Sequence, residues 1–315
     1  MKILLTGASG FLGRAVLLAL RQREMAVRPV FRTQASVLAA EWPADEAGVV
    51  PTLDEATDWA QALPGVDVVV HCAARTHVMR DSAGDPLTEY RRVNVDGTLR
   101  LARQAAAAGV QRFVFISSIG VNGNISQRPF TANDEAHPAE PSAQSKWEAE
   151  QGLWSIQLET GMEIVIIRPP LVYGPNAPGN FGGLVRGLRR GIPLPLGAVR
   201  NRRSLVGIDN LVDLIIRCIE HPAAANQVFL AGDGEDLSTT DLLRRTAAAI
   251  GAPDRLVSVP MWLLNLGARL LGKGAMAQRL LGSLQVDISK TQEVLGWQPP
   301  LSVDEGLKRM AEYRL

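Results

Sequence analysis

The sequence predicts an α/β fold, with a doubly wound parallel sheet followed by a smaller α/β domain. Short apolar runs rich in β-branched residues recur in the first half, at residues 3–5, 26–31, 66–71, 112–117 and 163–168. Helical stretches such as residues 99–108 lie between them. Near-continuous apolar runs separated by helices are typical of parallel strands that are buried on both faces.

The pattern changes after Arg168-Pro-Pro. Residues 174–183 and 191–197 are rich in Gly and Pro, and the helical stretches become shorter. We therefore expect a first domain over residues 1–170 and a second over 171–315, with some segments of the second returning to the sheet. In open α/β sheets, ligands bind at the carboxyl ends of the strands, which is where this second domain would lie.

The first strand is followed at once by a glycine-rich turn. Gly7, Gly10 and Gly13 separate the apolar run 3–5 from a helical stretch that begins near Arg14. Gly7 permits a tight turn, Gly10 leaves room for a pyrophosphate, and Gly13 lets the helix approach the sheet. The free N–H groups at a helix start favour an anion. The turn therefore predicts a Rossmann-type dinucleotide site formed by Gly7, Ser9, Gly10, Phe11, Leu12 and Gly13.

The end of the second strand indicates which dinucleotide is bound. A carboxylate there would bind the adenosine ribose of NAD, but the chain reads Val30-Phe31-Arg32-Thr33 and has no acid. Arg32 can pair with a 2′-phosphate, with help from Arg14. This favours NADP, with NAD as the alternative; a solvated Arg32 without a role is the simplest competing interpretation.

Composition excludes several classes of function. Lys and Arg number 33 against 32 Asp and Glu, so no overall positive charge points to nucleic acid. Cys72 and Cys218 fit neither a disulfide framework nor a metal site, which indicates a reducing, cytoplasmic compartment. We also expect no signal peptide, because the sequence opens on a core strand. No apolar run is long enough to span a bilayer, and residues 261–284 predict amphipathic helices packed on the second domain. A role for these helices at a membrane surface is a further hypothesis.

Several motifs together resemble one family. They are residues 6–13, His71-Cys-Ala-Ala74, Asn94-Val-Asp-Gly-Thr98, Phe115-Ile-Ser-Ser118, Ser145-Lys146 and Arg168-Pro-Pro-Leu-Val-Tyr-Gly-Pro175. Their order is similar to that in extended short-chain dehydrogenase/reductases, the NAD-dependent epimerase/dehydratase family that acts on nucleotide sugars. The resemblance covers essentially the whole chain. Its details look most like bacterial proteins of surface-polysaccharide biosynthesis.

The resemblance implies cofactor contacts at the strand ends. Ala73 and Ala74 would let the cofactor backbone pass closely, and Pro169 follows the last of the five strands. Asn94 would stabilise the active-site helix or a water that relays protons. His71 and Cys72 are expected to be packing residues.

The resemblance also implies a catalytic group. Ser118 would bond the reacting sugar oxygen, with Ser117 as the neighbouring candidate and a helix cap as the alternative for either. Lys146 would bind the nicotinamide ribose and lower the pKa of a nearby acid. Asn180 and Arg203 would contact the substrate, with Arg202 as an alternative to Arg203.

The sequence departs from the family at one position. The family motif is Tyr-x-x-x-Lys, whose spacing puts both side chains on one helix face. Here the position four residues before Lys146 is Ser142, and the chain's three tyrosines are Tyr90, Tyr173 and Tyr313. An aliphatic hydroxyl titrates far above a phenol, so Ser142 is a poor general acid, although it can order a water. A variant proton route, an inactivated homologue and a deliberate replacement all remain open.

The resemblance implies two functions, and the serine at position 142 motivates a third. The first is NAD(P)H-dependent reduction of the C4 keto group of a UDP-4-keto-6-deoxy-N-acetylhexosamine, with Ser118, Ser142 and Lys146 as the catalytic residues. The second is a UDP-sugar 4-epimerase with bound NAD. The third is a catalytically silent protein that binds the dinucleotide or the nucleotide sugar. A homodimer formed through a helix bundle is the expected assembly.

Overall fold

The computed structural model describes residues 1–76, 85–270, 272 and 274–312. Its strands are β1 (Lys2–Thr6), β2 (Ala26–Phe31), β3 (Gly48–Val49), β4 (Val68–His71), β5 (Arg112–Ile116), β6 (Glu163–Arg168), β7 (Leu171–Tyr173), β8 (Arg203–Gly207), β9 (Gln227–Leu230) and β10 (Asp236–Leu237).

The helices follow the same chain order. They are α1 (Phe11–Gln22), α2 (Gln34–Ala39), α3 (Pro86–Arg91), α4 (Gly97–Ala107), α5 (Pro141–Thr160), α6 (Gly179–Arg189), α7 (Ile208–Glu220), α8 (Thr239–Ala249), α9 (Met261–Leu270), α10 (Gly274–Leu281), α11 (Ser289–Leu295) and α12 (Val303–Glu312). A π-helical turn at Arg92–Asp96 joins α3 to α4, and a 3₁₀ turn at Ile119–Val121 follows β5.

The larger sheet has seven strands in the order β3-β2-β1-β4-β5-β6-β9, and every pairing in it is parallel. Alternate residues of β1 face opposite sides: Ile3 and Leu5 belong to the core that includes α1 and α7, and Leu4 to the core that includes α4 and α5. Helices therefore cover both faces of the sheet. The doubly wound α/β fold expected from the sequence is confirmed.

The smaller sheet has the order β10-β8-β7 and carries its own apolar cluster, which includes Tyr173, Phe181 and Leu307. The two units are interleaved along the chain. Strand β9 pairs with β6 in the large sheet, and the apolar side of α7 packs on the same sheet. The sequence analysis did not identify β3 and β9, since β3 is only two residues long and the strand run of β9 follows the Gly- and Pro-rich segments.

The strand order reverses between β1 and β4, which are neighbours although two strands and two helices separate them in sequence. Helices on the two sides of this reversal diverge and leave a crevice at the carboxyl ends of β1 and β4. The glycine-rich turn follows β1 at this point. In the described part of the chain, no helix is both long and apolar enough to cross a membrane.

Candidate active site

The turn between β1 and α1 is closed by glycine contacts. Gly7 has a φ of +69°, and its carbonyl accepts a hydrogen bond from the Gly10 N–H at 2.8 Å. A Cβ on Gly13 would lie 2.1 Å from the same Gly7 oxygen, so α1 starts against the turn itself. Gly7 and Gly13 are therefore fixed by backbone geometry.

The start of α1 is open to a ligand. Gly10 is the exposed N-terminal cap of the helix, its backbone is extended, and no side chain caps the first turn. The N–H groups of Phe11, Leu12 and Gly13 point out of the helix start without helical partners. Ser9 is exposed beside them. This arrangement fits a pyrophosphate, which accepts such N–H groups and is favoured by the helix dipole.

The end of β4 contacts the glycine turn. A Cβ on Gly7 would lie 2.8 Å from the Ala73 nitrogen, and the Ala73 N–H donates to the Thr6 hydroxyl at 3.2 Å. Ala73 and Ala74 thus follow β4 directly at the reversal point. Their side chains are small, so the backbones of the two strand ends approach closely.

His71 is a core residue of this junction. Its ring nitrogens bond the hydroxyls of Thr6 at 2.8 Å and Thr98 at 3.0 Å, and its ring stacks on Phe115. Burial lowers the pKa of His71 to about 3, with a smaller contribution from the Lys146 charge. The imidazole is therefore neutral and fully engaged at neutral pH, as befits a packing residue. Burial also disfavours the charged form of the neighbouring Cys72 thiol, which raises the pKa of that thiol.

Arg32 lies at the carboxyl end of β2 and is exposed. No described residue forms an ion pair or side-chain hydrogen bond with it. The next residue, Thr33, caps α2 by accepting from the Ser36 N–H at 3.2 Å. The strand end is thus held by Thr33, and the Arg32 guanidinium is free to meet a ligand.

Lys146 is buried in the middle of the site. Its Nζ donates to the Ile116 carbonyl at 2.8 Å, where β5 ends, and lies 4.4 Å from the centre of the Phe115 ring. Burial lowers the pKa of the ammonium to about 8, against smaller opposing effects of Cys72 and Glu150. An ammonium held at the end of β5 is suited to bind ribose hydroxyls and to stabilise a nearby anion.

The two adjacent serines, Ser117 and Ser118, have different burial and different hydrogen-bond partners. The Ser117 hydroxyl is buried and donates to Glu150 Oε1 at 2.5 Å. Ser118 is half-buried, and its Oγ accepts from the Gly120 N–H at 3.1 Å at the start of the 3₁₀ turn. Ser117 is therefore a core residue whose hydroxyl proton is already used in a hydrogen bond. The hydroxyl proton of Ser118 is still available for a substrate oxygen, although the same oxygen caps the turn.

A buried ion pair that the sequence motifs did not indicate supports Ser117. Glu150 and Arg168 are 0% and 4% exposed, and Arg168 bonds both carboxylate oxygens, at 3.0 and 2.5 Å. Arg168 also donates to the Asn122 amide oxygen at 3.0 Å. The pair joins α5 to the end of β6. The signal in sequence is that Glu150 lies one helical turn after Lys146 on the same face.

Asn94 connects the loop after β4 to α5. Its oxygen accepts from the Arg75 N–H at 2.8 Å, and its nitrogen donates to the Arg75 carbonyl and to Ser145 Oγ. Both ends of the amide are therefore occupied by protein groups. Ser145 in turn donates to the Ser142 carbonyl at 2.8 Å. Asn94 thus fixes the backbone of the first turn of α5.

Ser142 occupies that first turn and is half-buried. Its hydroxyl makes no hydrogen bond to any described residue. A serine side chain is several ångströms shorter than a tyrosine's, so it does not reach as far.

No described tyrosine replaces the missing phenol. Tyr173 is 0% exposed in the smaller unit, where its hydroxyl donates to the Val303 carbonyl at 3.3 Å. Burial, aided by the Asp233 charge, raises the pKa of Tyr173 far above its usual value. Tyr90 is buried with its ring 5.5 Å from the Arg75 guanidinium. Tyr313 lies outside the described residues.

The predicted substrate residues lie in the smaller unit. Asn180 is half-buried in the first turn of α6. Arg203 begins β8, and its Nη1 donates to the carbonyls of Arg279 at 2.5 Å and Gly282 at 3.1 Å. Burial lowers the pKa of Arg203. The exposed neighbour Arg202 uses its backbone N–H to bond Ser283, at 3.1 Å.

The other predicted cofactor residue, Pro169, is buried directly after β6, and its carbonyl accepts from the Ile119 N–H at 3.0 Å. The structure thus collects the turn after β1, Arg32, Ala73, Ala74, Ser118, Lys146 and Pro169 at the carboxyl ends of five neighbouring strands. Within the described residues, no group of three or more His, Cys, Asp or Glu side chains is placed to hold a metal ion.

Comparison with known proteins shows the family. A model of the NAD dependent epimerase/dehydratase family matches residues 3–232. A UDP-glucose 4-epimerase of Vibrio cholerae is 45% identical over 98% of this chain and 94% of its own length.

Solved structures agree on the fold. A Thermotoga maritima UDP-glucose 4-epimerase with UDP-glucose superposes with a TM-score of 0.80 at 24% identity, over 99% of this chain and 98% of that one. A Bacillus cereus UDP-glucuronic acid 4-epimerase in complex with NAD gives 0.79 at 22% identity, with the same coverage. The glycine turn, the buried lysine and the match over most of the sequence lead to one conclusion: the chain belongs to the NAD dependent epimerase/dehydratase family, the extended short-chain dehydrogenase/reductases that modify nucleotide sugars.

Proposed function

We propose that the protein reduces the C4 keto group of a UDP-4-keto-6-deoxy-N-acetylhexosamine, using NADPH, in surface-polysaccharide biosynthesis. The observation that carries this proposal is Ser142 beside the buried Lys146. Removing a proton from a sugar alcohol needs a base, and an aliphatic hydroxyl is a poor one. Protonating the alkoxide formed from a ketone is far easier, because an alkoxide takes a proton even from water. The serine site is therefore compatible with a reduction in which a water supplies the proton.

Each residue has a proposed role. The N–H groups of the β1–α1 turn bind the pyrophosphate, with Ser9 beside them, and Ala73 and Ala74 let the dinucleotide pass. Lys146 binds the nicotinamide ribose, and its charge favours the alkoxide form of the substrate. When bound, the dihydronicotinamide supplies the two electrons that reduce C4.

The remaining residues hold the sugar. Ser118 donates a hydrogen bond to the C4 oxygen, and a water bound to Ser142 delivers the proton. The Arg203 edge that faces away from the Arg279 and Gly282 carbonyls binds the diphosphate, because a guanidinium fork matches phosphate oxygens. Asn180 contacts the nucleotide part. Asn94 acts on the site through the backbone of Ser142.

We further propose NADP over NAD. The exposed Arg32 stands where NAD-binding proteins carry an acid, and its guanidinium has no partner among the described residues. A 2′-phosphate would supply one.

A second candidate is a UDP-sugar 4-epimerase with bound NAD. It is favoured by the 45% identity to a protein named UDP-glucose 4-epimerase. This reaction needs a proton removed from C4–OH and later returned, so the Ser142 site would have to serve both as base and as acid. The expected assembly is a homodimer, and the expected compartment is the cytoplasm. Light scattering of the purified protein would test the dimer.

The deciding experiment compares the unmodified protein with Ser142→Tyr. Both are given NADPH with a UDP-4-keto-6-deoxy-N-acetylhexosamine, and separately NAD with UDP-glucose. We expect cofactor consumption with the keto sugar, rising by about 10²- to 10⁴-fold in Ser142→Tyr, since one positioned acid contributes that much. Ser142→Ala serves as the control: it removes the hydroxyl that binds the proton-delivering water, so its rate should fall below that of the unmodified protein.

Other outcomes have definite meanings. Inversion of UDP-glucose without net cofactor turnover would replace the reductase by the epimerase. No turnover by either protein, together with tight cofactor binding, would identify a silent binding protein.

A further inference from the structure

Helix α9 (Met261–Leu270) presents its apolar side to the outside. Trp262, Leu266 and Leu270 are 67%, 47% and 79% exposed. At 100° per residue, these three and Leu263 lie on one side of the helix. On the opposite side, Leu264 packs on the small apolar cluster of the second unit. A surface helix normally turns its polar side to water, whereas α9 turns its apolar side to water.

We call the exposed side chains of Trp262, Leu263, Leu266 and Leu270 the α9 patch. All four are large apolar residues on one side of a helix of ten residues. Single exposed apolar residues are ordinary, but a contiguous group of this kind marks an interaction surface. Sequence analysis predicted that these helices pack on the second domain; α9 does so through Leu264 and leaves its larger apolar side uncovered.

The segment that contains α9 is rich in positive charge, and so is the segment that pairs with it. Residues 255–286 contain four Lys or Arg and no Asp or Glu, and residues 186–208 contain six Arg and no Asp or Glu. The two segments are joined where Leu194 and Leu256 form a bridge and the Val257 N–H donates to the Leu194 carbonyl at 2.8 Å. Because the whole chain is nearly neutral, this is a strong local asymmetry.

Exposed arginines carry that charge next to α9. Arg269 lies on the helix itself, and Arg189 and Arg190 lie at the end of α6. Arg255 donates to the Gly191 carbonyl at 3.1 Å, which holds it beside the end of α6. The nearest acid in sequence, Asp254, is paired with Arg244 at 3.4 Å. The partner of this surface should therefore be both apolar and anionic.

We propose that the α9 patch docks the protein on the surface of an anionic phospholipid bilayer. Tryptophan and leucines on one helix face with arginines at its edge are the composition of a helix that lies in the membrane interface. Ten helical residues are about 15 Å long, half of the hydrocarbon thickness, so the helix lies on the bilayer and does not cross it. The inference does not depend on the proposed reaction.

The segment that carries the patch is connected to the substrate side of the site. Helix α10 follows α9, and the Arg279 guanidinium at its end is paired with Glu140, which immediately precedes α5. Arg203 donates to the Arg279 carbonyl. A chain of direct contacts thus links the α9–α10 segment to the first turn of α5, where Ser142 lies.

The test is co-sedimentation of the purified full chain with vesicles. We expect binding to vesicles of phosphatidylglycerol and phosphatidylcholine, weak binding to phosphatidylcholine alone, and loss of binding as salt rises well above about 0.1 M. Trp262→Ser/Leu266→Ser should lower the partition coefficient at least tenfold. Leu38→Ser is the matched control, because Leu38 on α2 is 69% exposed far from α9 in sequence.

Three results would overturn the proposal. The first is no binding of the unmodified protein to anionic vesicles, and the second is equal binding by the double variant. The third is self-association through α9 in the absence of vesicle binding. Ultracentrifugation would show it as a higher mass for the unmodified protein than for the double variant. Circular dichroism and the melting temperature verify that each variant is folded. None of these readouts uses enzymatic activity, so they are independent of the proposed reaction.

Discussion

The carboxylate of Glu150 and the guanidinium of Arg168 form a two-bond ion pair that water does not reach. The pair ties the active-site helix α5 to the end of β6, and Glu150 also accepts from Ser117 at 2.5 Å. The position of Lys146, one turn earlier on α5, depends on this connection.

Breaking this pair on one side should be costly. Glu150→Gln leaves the Arg168 charge buried without its partner, and we expect a loss of about 3–5 kcal/mol in the free energy of unfolding. Glu150→Met/Arg168→Met should lose much less, because no buried charge remains. Urea unfolding of the single and double variants measures both.

A control for the Glu150 and Arg168 variants lies on the same helix. Glu148 pairs with Arg91 at 2.6 Å at the surface, so Glu148→Gln should cost less than about 1 kcal/mol. Equal costs for Glu148→Gln and Glu150→Gln would contradict the special role of the buried pair.

Lys146 should make stability depend on pH. Burial lowers its pKa to about 8, below the ordinary 10.5, so between these values the unfolded chain holds a proton that the folded protein has released. The free energy of unfolding therefore rises with pH across this window and, for this group, is lowest when the buried ammonium is charged.

The measurement compares the unmodified protein with Lys146→Met from about pH 7.5 to 10. The difference in unfolding free energy should shift by about 2 kcal/mol in favour of the unmodified protein as pH rises. Lys308→Met, at an exposed position of α12, is the control and should show no such trend. A flat difference for Lys146→Met would mean that its pKa is not lowered.

Arg32 should decide between the two dinucleotides. We expect Arg32→Ala to weaken NADP binding by about 10- to 100-fold, the value of a charge-assisted bond of 1.5–3 kcal/mol, and to leave NAD binding nearly unchanged. Titration calorimetry with both cofactors measures this. If NAD already binds the unmodified protein more tightly than NADP does, the NADP proposal is wrong. Arg14→Ala, on the exposed side of α1, tests for a secondary contribution.

Gly13 should tolerate no side chain. Its Cβ would lie 2.1 Å from the Gly7 oxygen and 2.7 Å from the Gly7 carbonyl carbon, both backbone atoms that cannot move alone. We expect Gly13→Ala to displace the β1–α1 turn, to cost at least about 2 kcal/mol and to abolish cofactor binding.

Gly267→Ala provides the contrast. It lies within α9 with nothing near its Cβ position, so alanine should stabilise the helix by up to about 1 kcal/mol. Thermal unfolding and cofactor titration of both variants distinguish a specific clash from a general effect of replacing glycine.

The sequence by itself determined the doubly wound sheet and the glycine-rich turn after its first strand. Both rest on local signals: buried parallel strands are nearly continuous apolar runs, and a turn between a strand and a helix needs glycines at fixed offsets. The sequence likewise revealed the serine at position 142, since the Tyr-x-x-x-Lys spacing is a property of one helix.

Tertiary structure decided what depends on distant contacts. It assigned Ser117 to the core and left Ser118 available, because Glu150 on α5 takes one of two adjacent hydroxyls. It also hydrogen-bonded the Asn94 amide to the loop after β4 and to α5. It also turned the apolar side of α9 outward, which periodicity cannot show, since an amphipathic pattern fixes where the apolar face lies on a helix but not what that face meets.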